Sequence, residues 1–208
     1  CGYWGKNYVK TFADLDKIHL EYVIDTNTPK IKIPEGVRFT SSMDEMLQDR
    51  NVEGVIIATP TAIHYDIASK VLNYGKHVLV EKPITTKSEE ARKLCEVAKK
   101  NNLVLMVGHI FRYNDAVIDI KNRINNGDIG NLRYIEARRI VLGPIMQDVS
   151  ALWDLATHDV YLSNLFVGNE PCSVSCTGIS HNGNLEDIAN LTLKYPNEIM
   201  STIYVNWE

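Results

Sequence analysis

Val55-Ile56-Ile57-Ala58-Thr59-Pro60 and, further on, His77-Val78-Leu79-Val80-Glu81-Lys82-Pro83 decide the fold. Each is a short, nearly continuous apolar run that stops at a proline turn. A strand covered on one face alternates polar with apolar residues, whereas runs without alternation belong to parallel strands buried on both faces. Between the two runs, residues 63–74 carry a helical apolar period and end at Gly75, where a left-handed backbone is readily adopted. Residues 103–107 repeat the strand pattern, after a helix predicted to open on a capping box of Thr86 with Glu89 and to end near Asn101. Upstream lie a predicted helix over 5–16, a strand over 19–24, a short element at 37–39, and a second capping box, Ser42 with Glu45. Strands alternating with helices imply right-handed crossovers, hence an α/β, Rossmann-type doubly wound parallel sheet.

After Gly108 the order changes. A helix is predicted over 116–125, a strand over 132–142, a helix over 153–166, and then strands over 173–179, 188–195 and 199–207, the last two joined across Pro196-Asn197. Strands gathered after helices predict an α+β domain with an open, mainly antiparallel sheet. The expected division is a dinucleotide-binding domain over 1–109 and a substrate and catalytic domain over 110–208. No strand pattern precedes Gly2, and residues 199–207 stop as strand without a turn. The chain is therefore expected to be an excerpt of a longer protein, without the first strand of one domain and the end of the other.

Composition narrows the function classes. With 208 residues, 45% hydrophobic and 23% charged, the chain can bury a sizeable core and is neither disordered nor collagen-like. A net charge of -4 with scattered basic residues argues against nucleic acid as partner. No apolar run approaches the roughly 20 residues of a membrane helix. A soluble, cytoplasmic protein with a small-molecule partner is expected. Four cysteines, Cys1, Cys95, Cys172 and Cys176, without disulfide-scaffold density suit free thiols in a reducing compartment.

Several residues can carry chemistry. Gly2 and Gly5 have the spacing of the last two glycines of G-x-G-x-x-G, and Asp25 lies 20 residues beyond Gly5 at the end of the next predicted strand. Such glycines let backbone approach a pyrophosphate at a helix N-terminus, and the acid can accept from a ribose 2′-hydroxyl. A carboxylate there repels a 2′-phosphate, so NAD is favoured over NADP, with Asn27 and Lys30 nearby as the features that would allow both. A tight turn and an ordinary strand-end acid would look the same. Trp4 beside the turn can pack on a cofactor or on its own helix.

Thr59-Pro60 and Glu81-Lys82-Pro83 follow the carboxyl ends of strands, the side where open α/β sheets bind ligands. Lys82 could hydrogen-bond a nicotinamide ribose and a substrate hydroxyl there, or be an exposed lysine in a proline turn. Asp154 and His158, four apart on a predicted helix, share a face, with Asp159 turned away. Histidine suits the proton of an alcohol becoming a ketone, and a stabilising helix pair is the plainer alternative. Two potential ligands without a third make a metal site weak. His109, Arg112 and Asn114 follow a strand end and could face a ligand or form a hinge.

Together Gly2-Tyr3-Trp4-Gly5, Ala58-Thr59-Pro60 with His64, Glu81-Lys82-Pro83, Gly108-His109 with Arg112, and Asp154 with His158 resemble the Gfo/Idh/MocA family of NAD(P)-dependent sugar and cyclitol oxidoreductases. The resemblance implies that Lys82, Asp154 and His158 are catalytic. It implies that Gly2, Tyr3, Trp4, Gly5, Asp25, Thr59, Pro60, His64, Glu81 and Lys82 bind the dinucleotide. Arg112 would join Lys82, Asp154 and His158 at the substrate, with no metal involved. Ala156 departs from the glycine that many members carry. The run Asp148-Val149-Ser150-Ala151-Leu152-Trp153-Asp154 is similar to a branch linked to surface polysaccharides and nucleotide sugars. The expected function is hydride transfer between NAD(H) and a secondary alcohol or ketone carbon of a sugar or sugar nucleotide. A free-sugar or inositol dehydrogenase and a non-catalytic dinucleotide sensor are the alternatives, and self-association through the second domain's sheet is expected.

Overall fold

The computed structural model describes residues 2, 4–142, 146, 148–181 and 183–207, so Cys1 and Tyr3 lie outside the described residues. The chain divides into two compact units, Cys1–Val107 and Gly108–Glu208.

In the first unit helix α1 (Gly5–Ala13) leads to strands β1 (Tyr22–Ile24) and β2 (Arg38–Thr40), helix α2 (Met43–Gln48), strand β3 (Gly54–Ile57), helix α3 (His64–Asn73), strand β4 (His77–Val80), helix α4 (Ser88–Lys100) and strand β5 (Leu105–Val107). Every strand pair is parallel, with β1 on β2 and β4 between β3 and β5. The expected parallel sheet is thus present, although among the described residues its strands form two ladders rather than one. Both ladders share a core. Ile57, Ala68, Val71, Leu72, Val78, Val80 and Leu94 are buried together with Met46 and Leu47, and Tyr22 and Ile24 pack against them. Leu72 from α3 is 0% exposed. Leu72→Ala is expected to lower unfolding stability by about 2–5 kcal/mol, read from a denaturant midpoint.

The helix ends explain two local differences. Ser42 caps α2, its side chain accepting from the Glu45 N–H. The return arm of the box runs through a third residue: Ser42 N–H donates to Thr40 Oγ1, whose hydroxyl donates to Glu45 Oε2. The capping box of Thr86 with Glu89 does not form. Helix α4 starts at Ser88 from Lys87 without a side-chain cap, and Glu89 and Glu90 place negative charge in the first turn instead. The Thr85 hydroxyl donates to Lys87 O and shapes the turn before it. Gly75 ends α3 as expected, with φ +76°.

The second unit contains helix α5 (Asp115–Asn126), strand β6 (Tyr134–Ile140), helix α6 (Ala151–Val167) and strands β7 (Ser173–Ile179), β8 (Ile188–Lys194) and β9 (Met200–Asn206). The sheet order is β6-β9-β8-β7, with β6 parallel to β9 and the other two pairs antiparallel. It is a mixed sheet, open and mainly antiparallel. Burial alternates along β8 and β9 because one face meets α6: Ala151, Leu155 and Ala156 pack with Ala189, Leu191, Leu193, Ile203 and Val205. Pro196–Glu198 turns the chain between β8 and β9, with Asn197 in the left-handed region at φ 62°. Among the described residues no helix is long and apolar enough to cross a membrane, and Cys95, Cys172 and Cys176 are exposed and outside any disulfide.

Candidate active site

In the first unit the register pairs Ile57 with Val80, so β3 and β4 end level and their following turns share one edge. Thr59 and Pro60 are exposed there, and Glu81, Lys82 and Pro83 follow β4. The Glu81 N–H donates to Ile57 O at 2.9 Å, continuing the ladder one residue past the strand. The Glu81 side chain is buried: its Oε2 accepts from the Lys82 N–H at 3.2 Å and its Oε1 from the Tyr8 hydroxyl at 2.6 Å. Burial, then the hydrogen bond and the charge of Glu81, pushes the Tyr8 phenol well above its ordinary range, so it is a donor. Lys82 is half-buried and its peptide to Pro83 is cis.

His64, 1% exposed at the start of α3, connects the two turns. Its Nδ1 lies 2.9 Å from Pro83 O and its Nε2 2.8 Å from Thr59 O. Both contacts are internal, which sequence reasoning did not separate from a cofactor contact. Tyr8 was not singled out by the sequence. The available signal was a tyrosine one turn into the helix that opens on the glycine turn.

Gly2 precedes α1, and Trp4, 41% exposed, occupies the N-cap position without a side-chain cap. A Cβ on Gly2 would meet nothing within 4 Å, so the backbone is open to close approach by a ligand. Asp25 follows β1, and its Oδ1 accepts from the Asn27 N–H at 2.9 Å, which orients the carboxylate. An uncapped helix N-terminus beside an open glycine and an oriented strand-end acid fits a dinucleotide: backbone N–H groups for pyrophosphate, carboxylate for a ribose diol.

In the second unit Ser150 caps α6, its Oγ accepting from the Trp153 N–H. Asp154 and His158 are half-buried at i,i+4, and Tyr161 continues the same stripe at i+7. The His158 ring meets Phe111 edge-on, at 4.9 Å between centroids and 84° between planes. Arg139 from β6 lies 5.1 Å from the Phe111 centroid and forks onto Asp159, both N···O distances being 2.8 Å. Asp159 thus turns from the Asp154 and His158 stripe into a buried ion pair. His109 stacks on Tyr161 at 4.5 Å, and Arg112 Nη1 donates to the Tyr161 hydroxyl at 3.0 Å. Asn114 is a helix cap, its Oδ1 accepting from the Ala116 and Val117 N–H groups of α5. Sequence reasoning missed Phe111, Arg139 and Tyr161, which no motif marks. Among the described residues no group of three or more His, Cys, Asp or Glu could hold a metal.

These arrangements have known relatives. The chain matches the family described as "Oxidoreductase family, NAD-binding Rossmann fold" over residues 1–109 and the Gfo/Idh/MocA C-terminal domain over residues 117–208. It is 30% identical over 206 residues to a UDP-N-acetylglucosamine 3-dehydrogenase of Acidithiobacillus ferrooxidans, covering 97% of this chain and 63% of that protein. Against a scyllo-inositol 2-dehydrogenase (NAD(+)) of Bacillus subtilis it is 33% identical over 139 residues, 64% of this chain and 41% of that one. The solved WlbA dehydrogenase of Bordetella pertussis, in complex with NADH and UDP-GlcNAcA, superposes with a TM-score of 0.87 at 25% identity, covering 100% of this chain and 65% of that one. The chain therefore spans less than two thirds of the length of each of these three relatives. With the family match on residues 1–109, the parallel first unit and the mixed sheet that follows it, this chain belongs to the Gfo/Idh/MocA oxidoreductase family.

Proposed function

We propose that the protein is an NAD-dependent oxidoreductase that moves hydride between NAD(H) and a secondary alcohol or ketone carbon of a sugar or sugar nucleotide. The observation that carries it is the half-buried pair of Asp154 and His158 on one face of α6, in a chain of this family. Residues 1–109 are assigned to the dinucleotide and 110–208 to the substrate. Gly2, Tyr3, Trp4 and Gly5 would hold the pyrophosphate, Asp25 the adenosine ribose, and Thr59, Pro60 and Glu81-Lys82 the nicotinamide side. When bound, the nicotinamide accepts or donates the hydride.

The protein supplies protons and charge. In the second unit His158 is assigned the hydroxyl proton as hydride leaves, Asp154 an adjacent hydroxyl and Arg112 a polar substituent; in the first unit Lys82 is assigned a hydrogen bond to the substrate. Similarity to the UDP-N-acetylglucosamine 3-dehydrogenase over 97% of the chain supports a nucleotide sugar as substrate. A free cyclitol is the second reading, supported by the similarity to the inositol dehydrogenase. The test is a screen of the full-length protein with NAD and NADP against both substrate classes, read by nicotinamide absorbance. Turnover of UDP-linked sugars supports the proposal, turnover of free inositol alone favours the second reading, and dinucleotide binding without turnover overturns both in favour of a sensor.

Asp25 carries the coenzyme preference. Its oriented carboxylate would repel a 2′-phosphate, so Asp25→Ser is expected to shift the ratio of kcat/KM for NADP over NAD upward by about tenfold or more. An unchanged ratio removes Asp25 from the assignment. Cytoplasmic location and homo-oligomerisation through the sheet face opposite α6 are also proposed. That face exposes Tyr134 and Ile140 and sets Arg138 beside Tyr204. Sedimentation of the full-length protein and of Tyr134→Glu tests it: a monomeric wild type contradicts it.

A further inference from the structure

We propose that Tyr8 and His64 are positioning residues that hold the Glu81-Lys82-Pro83 turn from two sides and so fix where Lys82 presents its amine; this rests on the assignment of Lys82 as catalytic. Three consecutive residues of the turn are tied down by separate elements. Glu81 is anchored through its N–H to Ile57 O of β3. Its carboxylate bridges the Tyr8 hydroxyl of α1 at 2.6 Å and the Lys82 N–H at 3.2 Å. Pro83 O is met by His64 Nδ1 of α3 at 2.9 Å, while Nε2 of the same ring meets Thr59 O at 2.8 Å. The peptide group before Lys82 is therefore held by the Glu81 carboxylate that Tyr8 anchors, and the one after Pro83 is held by His64, so the turn is fixed on either side of Lys82.

The partners are chosen for rigidity. Glu81 is 7% exposed and His64 1%, so neither can exchange its contacts for bulk water cheaply. The Tyr8 ring lies against Phe12 one turn along α1, at 6.2 Å between centroids, which holds the hydroxyl on Glu81. Because α1 is also the helix that opens on the glycine turn, Tyr8 links the element assigned to the pyrophosphate with the turn that carries Lys82. A flexible lysine side chain gains most from such a fixed root, since its own stem has four rotatable bonds and its head is strongly hydrated. On this view Glu81 and His64 act on the site through the backbone of Lys82, Pro83 and Thr59.

The test uses the full-length protein with Tyr8→Phe, which removes one oxygen and keeps the ring. His64→Ala would empty a buried site, so His64→Asn and His64→Gln are used, each offering an amide NH2 near the place of one ring nitrogen. Three quantities are read: dinucleotide Kd, single-turnover hydride transfer, and trinitrophenylation of Lys82 relative to the exposed Lys87 by peptide mass spectrometry. Tyr8→Phe is expected to slow hydride transfer by about 10²-fold, the scale of a 1 Å misplacement, with the Kd within about twofold of wild type. The Lys82 to Lys87 labelling ratio changes with it. His64→Asn, which retains a donor toward Pro83 O, is expected to keep more of the rate than His64→Gln. An unchanged labelling ratio in Tyr8→Phe overturns the proposal, as does a loss of rate that merely parallels a loss of thermal stability. If wild type turns over no sugar, the labelling ratio still decides the lock, and the failure belongs to the assigned activity alone.

Discussion

Replacing His158 by alanine in the full-length protein is expected to slow hydride transfer by about 10²–10⁴-fold, the contribution of a positioned acid–base group. The fold should survive the change. The residues with which α6 meets the sheet are Ala151, Leu155, Ala156, Asp159 and Ser163, whereas His158 is half-buried on another face and its ring touches the edge of Phe111. Dinucleotide affinity should also hold, because the glycine turn, Asp25 and the two proline turns all belong to the first unit. Single-turnover rates beside thermal midpoints separate these outcomes. A rate within a small factor of wild type would remove His158 from its role. Phe111→Leu offers a graded companion, since it withdraws only the aromatic neighbour of the imidazole.

The second large effect concerns the pair beneath that face. Arg139 and Asp159 meet through two parallel hydrogen bonds of 2.8 Å, with side-chain exposures of 24% and 7%. Arg139→Ala strands the Asp159 carboxylate where water hardly reaches, and breaking a buried pair from one side typically costs about 3–5 kcal/mol. The urea midpoint of the second unit is expected to fall accordingly. Replacing both residues with apolar side chains of similar volume, Arg139→Met with Asp159→Leu, should recover most of that loss, because no unpaired charge then remains. If the double variant is as unstable as the single one, the deficit comes from packing rather than charge. The single variant also withdraws the guanidinium from Phe111, so its activity should fall further than its stability alone accounts for.

How much of this was legible in the sequence depended on the range of the interaction. Val55 to Ala58 and His77 to Val80 read as strands because burial on both faces leaves apolar residues without alternation, and both are strands within a residue. Ser173–Ile179 was bounded correctly for the simpler reason that polar loops flank it. The family-defining residues were readable as motifs because their spacing is local. What escaped were contacts between distant segments: Tyr8 and Glu81 are 73 residues apart, Ser163 and Ser201 38, Arg139 and Asp159 20. Periodicity says which face of an element is buried but not what it is buried against. The failed Thr86 cap shows the same limit at short range, since the Thr85 hydroxyl bonds Lys87 O and the helix begins two residues beyond Thr86.

The place of β9 in its sheet bears on how the second unit is made. That strand, Met200–Asn206, lies between β6 and β8, parallel to one and antiparallel to the other, so among the described residues the strand that pairs with β6 is β9. On a ribosome, β6 would emerge and wait, one edge unsatisfied, while α6 and the hairpin of β7 with β8 are synthesised. Such long-range closure is slow compared with the near-neighbour ladders of the first unit. A nascent chain halted before residue 200 should accordingly hold a folded first unit and a second one still open to chaperones.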